Sequence, residues 1–175
     1  MSLPTTLKGT CMKITMSSSY QNPTTFVLYR EELIALRRAL SLTDEAHLDE
    51  LGHGGLTGAT EELTRDDWYC QLTGNENALY FVASHVVTEG IEHVVGGLCL
   101  DTSDSNYVIE WIAVDNHYQR CGVATTLMDA AFVYARKQGA KSISVSVVAN
   151  NSAVDLYKGK GFEQTYQYLT KDLSC

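Results

Sequence analysis

Tyr107-Val108-Ile109-Glu110-Trp111-Ile112-Ala113-Val114-Asp115-Asn116-His117-Tyr118-Gln119-Arg120-Cys121-Gly122-Val123-Ala124 is the stretch on which the fold turns. Its first eight residues, dominated by β-branched and aromatic side chains, read as a strand. From Gly122 onward the apolar period changes. Val123, Ala124, Leu127, Met128, Ala131, Val133 and Ala135 make the broad stripe of a helix over 122–138, and Gly139 stands in the C-cap position. A strand that passes through a short loop into a helix leaves unpaired N–H groups and the positive end of the helix dipole at the loop. A diphosphate placed there meets both. Gly122 removes the Cβ from that approach, Ala124 keeps the next position small, and Arg120 offers a charge to phosphate oxygens. The plainer alternative is an ordinary strand-to-helix turn in which Gly122 relieves local strain. A lone glycine would favour that alternative; the whole arrangement favours an anion site.

Working outward, Lys141–Ala149 alternates, with Ile143, Val145 and Val147 on one face and Ser142, Ser144 and Ser146 on the other. A strand, a long helix and a strand form a crossover, so the two strands should run parallel. Upstream, Ala78–Val87 and Glu92–Asp101 read as strands joined at Thr88-Glu89-Gly90, and with Tyr107–Val114 they form an antiparallel meander. Downstream, Asn150 or Asn151 caps a short helix Ser152–Lys158, and a last strand runs from Phe162 to Leu169. The fold class expected is α+β: a central mixed sheet of about six or seven strands flanked by helices, with an antiparallel meander followed by the strand-helix-strand crossover.

The first seventy residues read less regularly. Residues 1–11 are a loose lead-in, and Met12–Ser17 is a strand. The Ser17-Ser18-Ser19 run and Pro23 then break the pattern. Glu31–Leu40 is a helix with Leu33, Ile34, Leu36 and Leu40 on one side and Arg37 and Arg38 on the other, and Thr43 caps a second, short one reaching Leu51. Gly52-His53-Gly54-Gly55-Leu56-Thr57-Gly58 follows no strand and precedes no GK[ST], so a surface loop near the acceptor side is preferred over a nucleotide loop. Thr64 caps a helix over Arg65–Leu72.

The chain has 175 residues, 45% of them hydrophobic, enough for one domain with a real core. Thirteen basic against twenty-one acidic residues give a net charge of -8, which argues against nucleic acid, because phosphate-backbone binding needs clustered Lys and Arg. That balance suits a cationic substrate and equally suits simple solubility. Cys11, Cys70, Cys99, Cys121 and Cys175 are odd in number, widely spaced and without zinc-ligand spacing, so reduced thiols and no metal are expected. With no apolar leader and no stretch long enough to span a bilayer, the expectation is a cytoplasmic protein with no membrane partner.

The loop Gln119–Ala124 resembles the acetyl-CoA loop of the GNAT superfamily of acyl-CoA-dependent N-acyltransferases, Gln/Arg-x-x-Gly-x-Gly/Ala after a central strand, with Gln119, Gly122 and Ala124 in the matching positions. Asn116 stands where proline is common, and Cys121 where a basic or small residue is usual; neither removes a backbone donor. The segment Asn150-Asn151-Ser152-Ala153-Val154-Asp155-Leu156-Tyr157-Lys158-Gly159-Lys160-Gly161-Phe162 is similar to the family's later motif, N-x-x-A-x-x-L-Y-x-x-x-G-F. The resemblance runs from about Ala78 to Leu169.

It implies one N-acetyltransferase domain over 1–175, with a helical acceptor-side region at 12–74 and an acetyl-CoA-binding core at 75–175. It further implies acetyl-CoA as cosubstrate. The pyrophosphate would lie on main-chain amides of Gln119, Arg120, Cys121, Gly122, Val123, Ala124 and Thr125. The pantetheine arm would run along Ile112, Ala113 and Val114, and contact Asn150, Ala153 and Tyr157. Tyr157 would protonate the departing thiolate, a role that suits a phenol. Core packing is the alternative for this tyrosine, as helix capping is for Asn150.

An amine is mostly protonated at neutral pH and must lose a proton to attack a thioester. Glu110, among Ile109, Trp111 and Ile112, is the candidate base, and a solvent-facing strand residue is the even alternative. Asp115 and His117 are weaker candidates at an exposed loop, and His85 and His93 read as ordinary sheet residues. Cys121 has no evident His/Asp partner, which favours direct transfer over an acyl-enzyme. The leading reading is acetylation of a small-molecule amine. Acetylation of a protein lysine or N-terminus is the second, and an acyl-CoA sensor without turnover the third. The resemblance allows a homodimer.

Overall fold

The computed structural model describes residues 4–7, 10–17, 23–50, 70, 72–86, 92–148 and 151–165. Its strands are β1 (Pro4–Leu7), β2 (Thr10–Ser17), β3 (Ala78–Val86), β4 (Glu92–Asp101), β5 (Asn106–Val114) and β6 (Ser142–Val145). Among the described residues are the helices α1 (Pro23–Glu50), α2 (Val123–Gln138) and α3 (Ala153–Gly159), and a 3-10 turn at Asn116–Tyr118. The six strands form one sheet in chain order, antiparallel throughout except for the last pair, β5 and β6, which is parallel as the crossover requires. This is the expected mixed α+β architecture.

The N-terminal expectations need correction. The lead-in carries a strand: β1 pairs with β2 from Pro4 opposite Lys13 to Leu7 opposite Thr10. Pro23 breaks nothing. It opens a single helix that runs through to Glu50, replacing the two short helices expected, because proline is tolerated in a first helical turn and no glycine or proline follows before Glu50. The buried positions Phe26, Leu33 and Ile34, with half-buried Tyr29, Leu36 and Leu40, give α1 one apolar stripe from Phe26 to Leu40. Arg37 is not on the far side with exposed Arg38. It is half-buried, one turn beyond Leu33.

The sheet has a core on each face. One packs against α2 and holds Phe81, Leu98, Leu100, Ile109, Leu127, Met128 and Tyr157. The other packs against α1 and holds Phe26, Leu33, Tyr80, Val82, Cys99 and Trp111. The helix α2 is stopped as expected, with Gly139 at φ 77° donating to Ala135 and Arg136 carbonyls. Phe162–Thr165 is not strand, and the rest of the expected last strand, the loop 52–58, the turn 88–90 and most of the helix 65–72 lie outside the described residues. Among the described residues no helix is long and apolar enough to cross a membrane.

Candidate active site

The parallel pair β5–β6 is short. It ends where Ile109 faces Val145. Beyond that point β5 continues along β4 to Val114, while Ser146–Val148 leaves the sheet. The two chain segments part around a cleft lined by Glu110, Trp111, Ile112 and Val114 on one side and Val145–Val148 on the other. Leu40 of α1, Ala124 of α2, and Asn151, Ala153, Leu156 and Tyr157 of the α3 region complete its lining. Past Ile109 the β6-facing edge of β5 has no strand partner among the described residues, so its backbone groups face the cleft.

At the end of β5 the chain turns tightly. Asp115 caps the 3-10 turn by accepting from the His117 N–H at 2.9 Å, and its own N–H donates to the Val95 carbonyl at 3.0 Å. His117 Nδ1 lies 3.1 Å from the same carboxylate oxygen, which keeps both at the exposed loop, away from the cleft lining. Gln119 is exposed, and its Nε2 donates to Asn116 Oδ1 at 2.9 Å. Arg120 adopts φ 58° and Gly122 φ 84°, both in the left-handed region, so the loop coils before α2 begins. The Cys121 N–H donates to the Tyr118 carbonyl at 3.4 Å. The N–H groups of Gly122, Val123, Ala124 and Thr125 have no acceptor among the described residues. They form the open first turn of α2. A Cβ built on Gly122 would meet nothing within 4 Å, so the space beside it is open.

Glu110 occupies an irregular place. Cys99 pairs with Trp111 and Leu100 with Ile109, which leaves Glu110 as the extra residue of a β-bulge. It is exposed, yet it lines both the cleft and a second cavity on the α1 side, formed with Arg37, Leu72, Asn75, Ala78, Tyr80, Cys99 and Trp111. Burial of part of the carboxyl, helped by the negative charge of Asp101, raises its pKa above the ordinary 4.5, and Arg37 opposes the rise. Trp111 is the other residue common to both cavities.

Tyr157 is buried at 7% exposure, with its ring edge-on to Phe162 at 5.7 Å and its carbonyl accepting from the Lys160 and Phe162 N–H groups. Ala153, one turn earlier, lines the cleft with it. Tyr157 packs in the core and also borders the cleft. At the start of α3 the Asn151 Oδ1 accepts from the Ala153 N–H at 2.9 Å; Asn150 lies outside the described residues. Ile112 and Val114 line the cleft, whereas Ala113 turns its side chain into the α1-side core. His85 is half-buried and its Nδ1 lies 3.2 Å from the Tyr118 hydroxyl, a tie between β3 and the turn before the loop.

The model of the Acetyltransferase (GNAT) family matches residues 45–162, two thirds of the chain, including β5, the loop after it, α2 and α3 as far as Phe162. The chain belongs to the GNAT acetyltransferase family. It is an acyltransferase fold of the acyl-CoA-dependent kind. No curated protein matches this GNAT chain in sequence. Solved structures do match in fold. The aminoglycoside N-acetyltransferase AAC(6')-Iy in complex with CoA has TM-score 0.64 and 16% identity, covering 98% of this chain and 100% of that one. A mutant of BH1408 from Bacillus halodurans has TM-score 0.66 and 17% identity, covering 92% and 99%. The aminoglycoside acetyltransferase meta-AAC0020 from an uncultured soil metagenomic sample, in complex with sisomicin, has TM-score 0.59 and 20% identity, covering 93% and 97%.

Sequence reasoning missed the α1-side cavity of this GNAT domain. Arg37, Asn75, Tyr80 and Cys99 are scattered along the chain and meet only through the sheet. One signal was available: Leu33, Arg37 and Ser41 share a helical face, so a polar pair at four-residue spacing interrupts a buried stripe.

Proposed function

We propose that the chain is an N-acetyltransferase of one domain that moves an acetyl group from acetyl-CoA to a small-molecule amine by direct attack, both substrates being bound together. The observation that carries this reading is the position of Glu110, a carboxylate shared by the cleft between β5 and β6 and the cavity beside α1. A base at that junction stands between a donor on one side and an acceptor on the other.

The donor side suits acetyl-CoA. The N–H groups of Gly122–Thr125 and the dipole of α2 favour a pyrophosphate, and the open space at Gly122 leaves room for it. Gln119, Arg120 and Cys121 complete that loop, with Arg120 and the Gln119 side chain exposed at its rim. The free backbone edge of Ile112–Val114 suits the amides of the pantetheine arm as an added strand would. In the reaction Glu110 takes a proton from the acceptor ammonium, and the nitrogen forms its bond to the thioester carbonyl carbon. The C–S bond breaks, the Tyr157 hydroxyl donates a proton to the sulfur that leaves, and the second proton shed by the acylated nitrogen restores that hydroxyl. The raised pKa of Glu110 makes its carboxylate a stronger proton acceptor than a free one. Cys121 is exposed in the loop at the foot of α2, a place that suits backbone contact with phosphate and not acyl capture.

Two of the similar structures bear names of aminoglycoside acetyltransferases, which supports a small-molecule acceptor over a protein. Thiol release from acetyl-CoA, followed across small amines and lysine-containing peptides, tests the proposal. Release that depends on small amines, and persists in Cys121→Ala, is expected. Release with peptides alone points to a protein acetyltransferase, and saturable CoA binding without any release points to a sensor.

A further inference from the structure

His85 reads in the sequence as an ordinary sheet residue, yet its surroundings set it apart. Its imidazole stands edge-on to the Tyr118 ring, with centroids 5.8 Å apart, and Nδ1 lies 3.2 Å from the Tyr118 hydroxyl. The other ring nitrogen, Nε2, is buried and has no hydrogen-bond partner among the described residues. A buried polar atom left unpaired lowers stability, and a leucine in that place would pack without the penalty. What the imidazole adds over a leucine is its contact with Tyr118.

Tyr118 is the last half-buried residue before an exposed run, Gln119-Arg120-Cys121-Gly122, and the next side chain to enter the core is that of Val123, 1% exposed. Two residues of the run are left-handed, Arg120 at φ 58° and Gly122 at φ 84°, and its backbone is tied back by the Cys121 N–H donating to the Tyr118 carbonyl at 3.4 Å. The turn behind the run is fixed to the sheet at two points. The Asp115 N–H donates to the Val95 carbonyl of β4 at 3.0 Å, and the Tyr118 hydroxyl meets His85 of β3.

Resting on the acetyl-CoA reading of this loop, we propose that His85 is a positioning residue for the donor: by holding the Tyr118 hydroxyl it fixes the near end of Gln119–Gly122 for the pyrophosphate. His85 does not line the cleft, so it acts through Tyr118 alone. Without that anchor the exposed run must be ordered when the ligand binds, and the ordering weakens affinity without touching the chemical step.

The test uses the whole chain, with CoA affinity read by calorimetry and acetyl-CoA KM, acceptor KM and kcat read by thiol release. His85→Leu, Tyr118→Phe and the double variant remove the contact from one end, the other and both. Each should raise the CoA Kd and the acetyl-CoA KM by roughly threefold to tenfold, the scale of one hydrogen bond, and leave acceptor KM and kcat within about twofold. The double variant should do no more than either single change, because the same contact is lost in all three. It should also melt no lower than the native protein, since removing both partners leaves neither one buried and unpaired. His85→Asn, which keeps a polar group near the Nδ1 position, should recover part of the affinity. Native CoA affinity in the double variant overturns the positioning role. So does an additive loss from the two single changes, an equal rise in acceptor KM, or a loss of affinity that comes only with a lowered melting temperature. The acetyl-CoA reading stands in each of those cases. Failure of the native protein to bind CoA overturns both.

Discussion

Ile109 and Trp111, two residues apart on one strand, face opposite sides of the sheet: Ile109 lies in the core under α2 and Trp111 in the core under α1. Strand residues two apart share a face unless an extra residue intervenes, and Glu110 is that residue. The bulge reverses the facing of the rest of β5. Ile112 and Val114 pack toward the α2 side and border the cleft, Trp111 and Ala113 fill the α1 side, and Glu110 is left at the junction of the two cavities.

Replacement of Glu110 by Gln should lower kcat by about 10²-fold or more while acetyl-CoA affinity holds, as expected for loss of a general base. In the native protein kcat/KM should fall in acid through a pKa above the ordinary carboxylate value of 4.5, and Glu110→Gln should abolish that limb. Stability gives an independent reading. Because the folded-state pKa is raised, the contribution of this carboxyl to stability is fully present below its unfolded value and lost as pH rises through the folded one. Thermal unfolding should therefore show Glu110→Gln slightly more stable near pH 7, with the gap closing in acid.

Tyr157→Phe keeps the ring against Phe162 and removes only the hydroxyl. Turnover should drop by about 10²-fold with unfolding temperature little changed. Tyr157→Ala, which empties a buried site, should cost about 3–5 kcal/mol in denaturant unfolding.

Gly97 sits beneath the site without touching a substrate. A Cβ there would stand 2.8 Å from Leu33 Cδ2 and 3.1 Å from two ring carbons of Trp111. Gly97→Ala should cost about 1–3 kcal/mol and, by displacing Trp111 from both cavities, raise KM for both substrates. Urea unfolding and steady-state kinetics read the two effects separately.

Gly122→Ala should act through the backbone, since the added methyl meets no atom but must accept φ 84°. The left-handed conformation costs an L-residue about 1–2 kcal/mol, so the loop will tend to uncoil and turn its N–H groups away from the phosphate position. KM for acetyl-CoA should rise roughly tenfold with acceptor KM unchanged, measured by varying each substrate in turn.

The elements with strong local signals were legible in the sequence. The stripe of α2 and its stop at Gly139 appear in the apolar spacing and one glycine, and the parallel β5–β6 pair follows from strand-helix-strand order alone. Pro23 misled because the same residue ends a helix from within and begins one at its first turn. The bulge at Glu110 was hidden because the alternation of Ile109, Trp111 and Ala113 looks continuous in one dimension. Register with β4, a property of two strands, decides it. The cleft was half legible: the loop and Ala153–Tyr157 carry motifs, whereas the parting of β5 from β6 and the approach of Arg37 to Glu110 exist only in the assembled sheet.

A crystal structure of the chain with acetyl-CoA decides whether the cleft between β5 and β6 holds the donor. The pyrophosphate is expected within hydrogen-bond distance of N–H groups of Gly122–Thr125, the pantetheine along Ile112–Val114, and the thioester between Glu110 and Tyr157. Acetyl-CoA bound away from that cleft, or lying in it with the thioester remote from Glu110, would refute the assignment of Glu110 as the base.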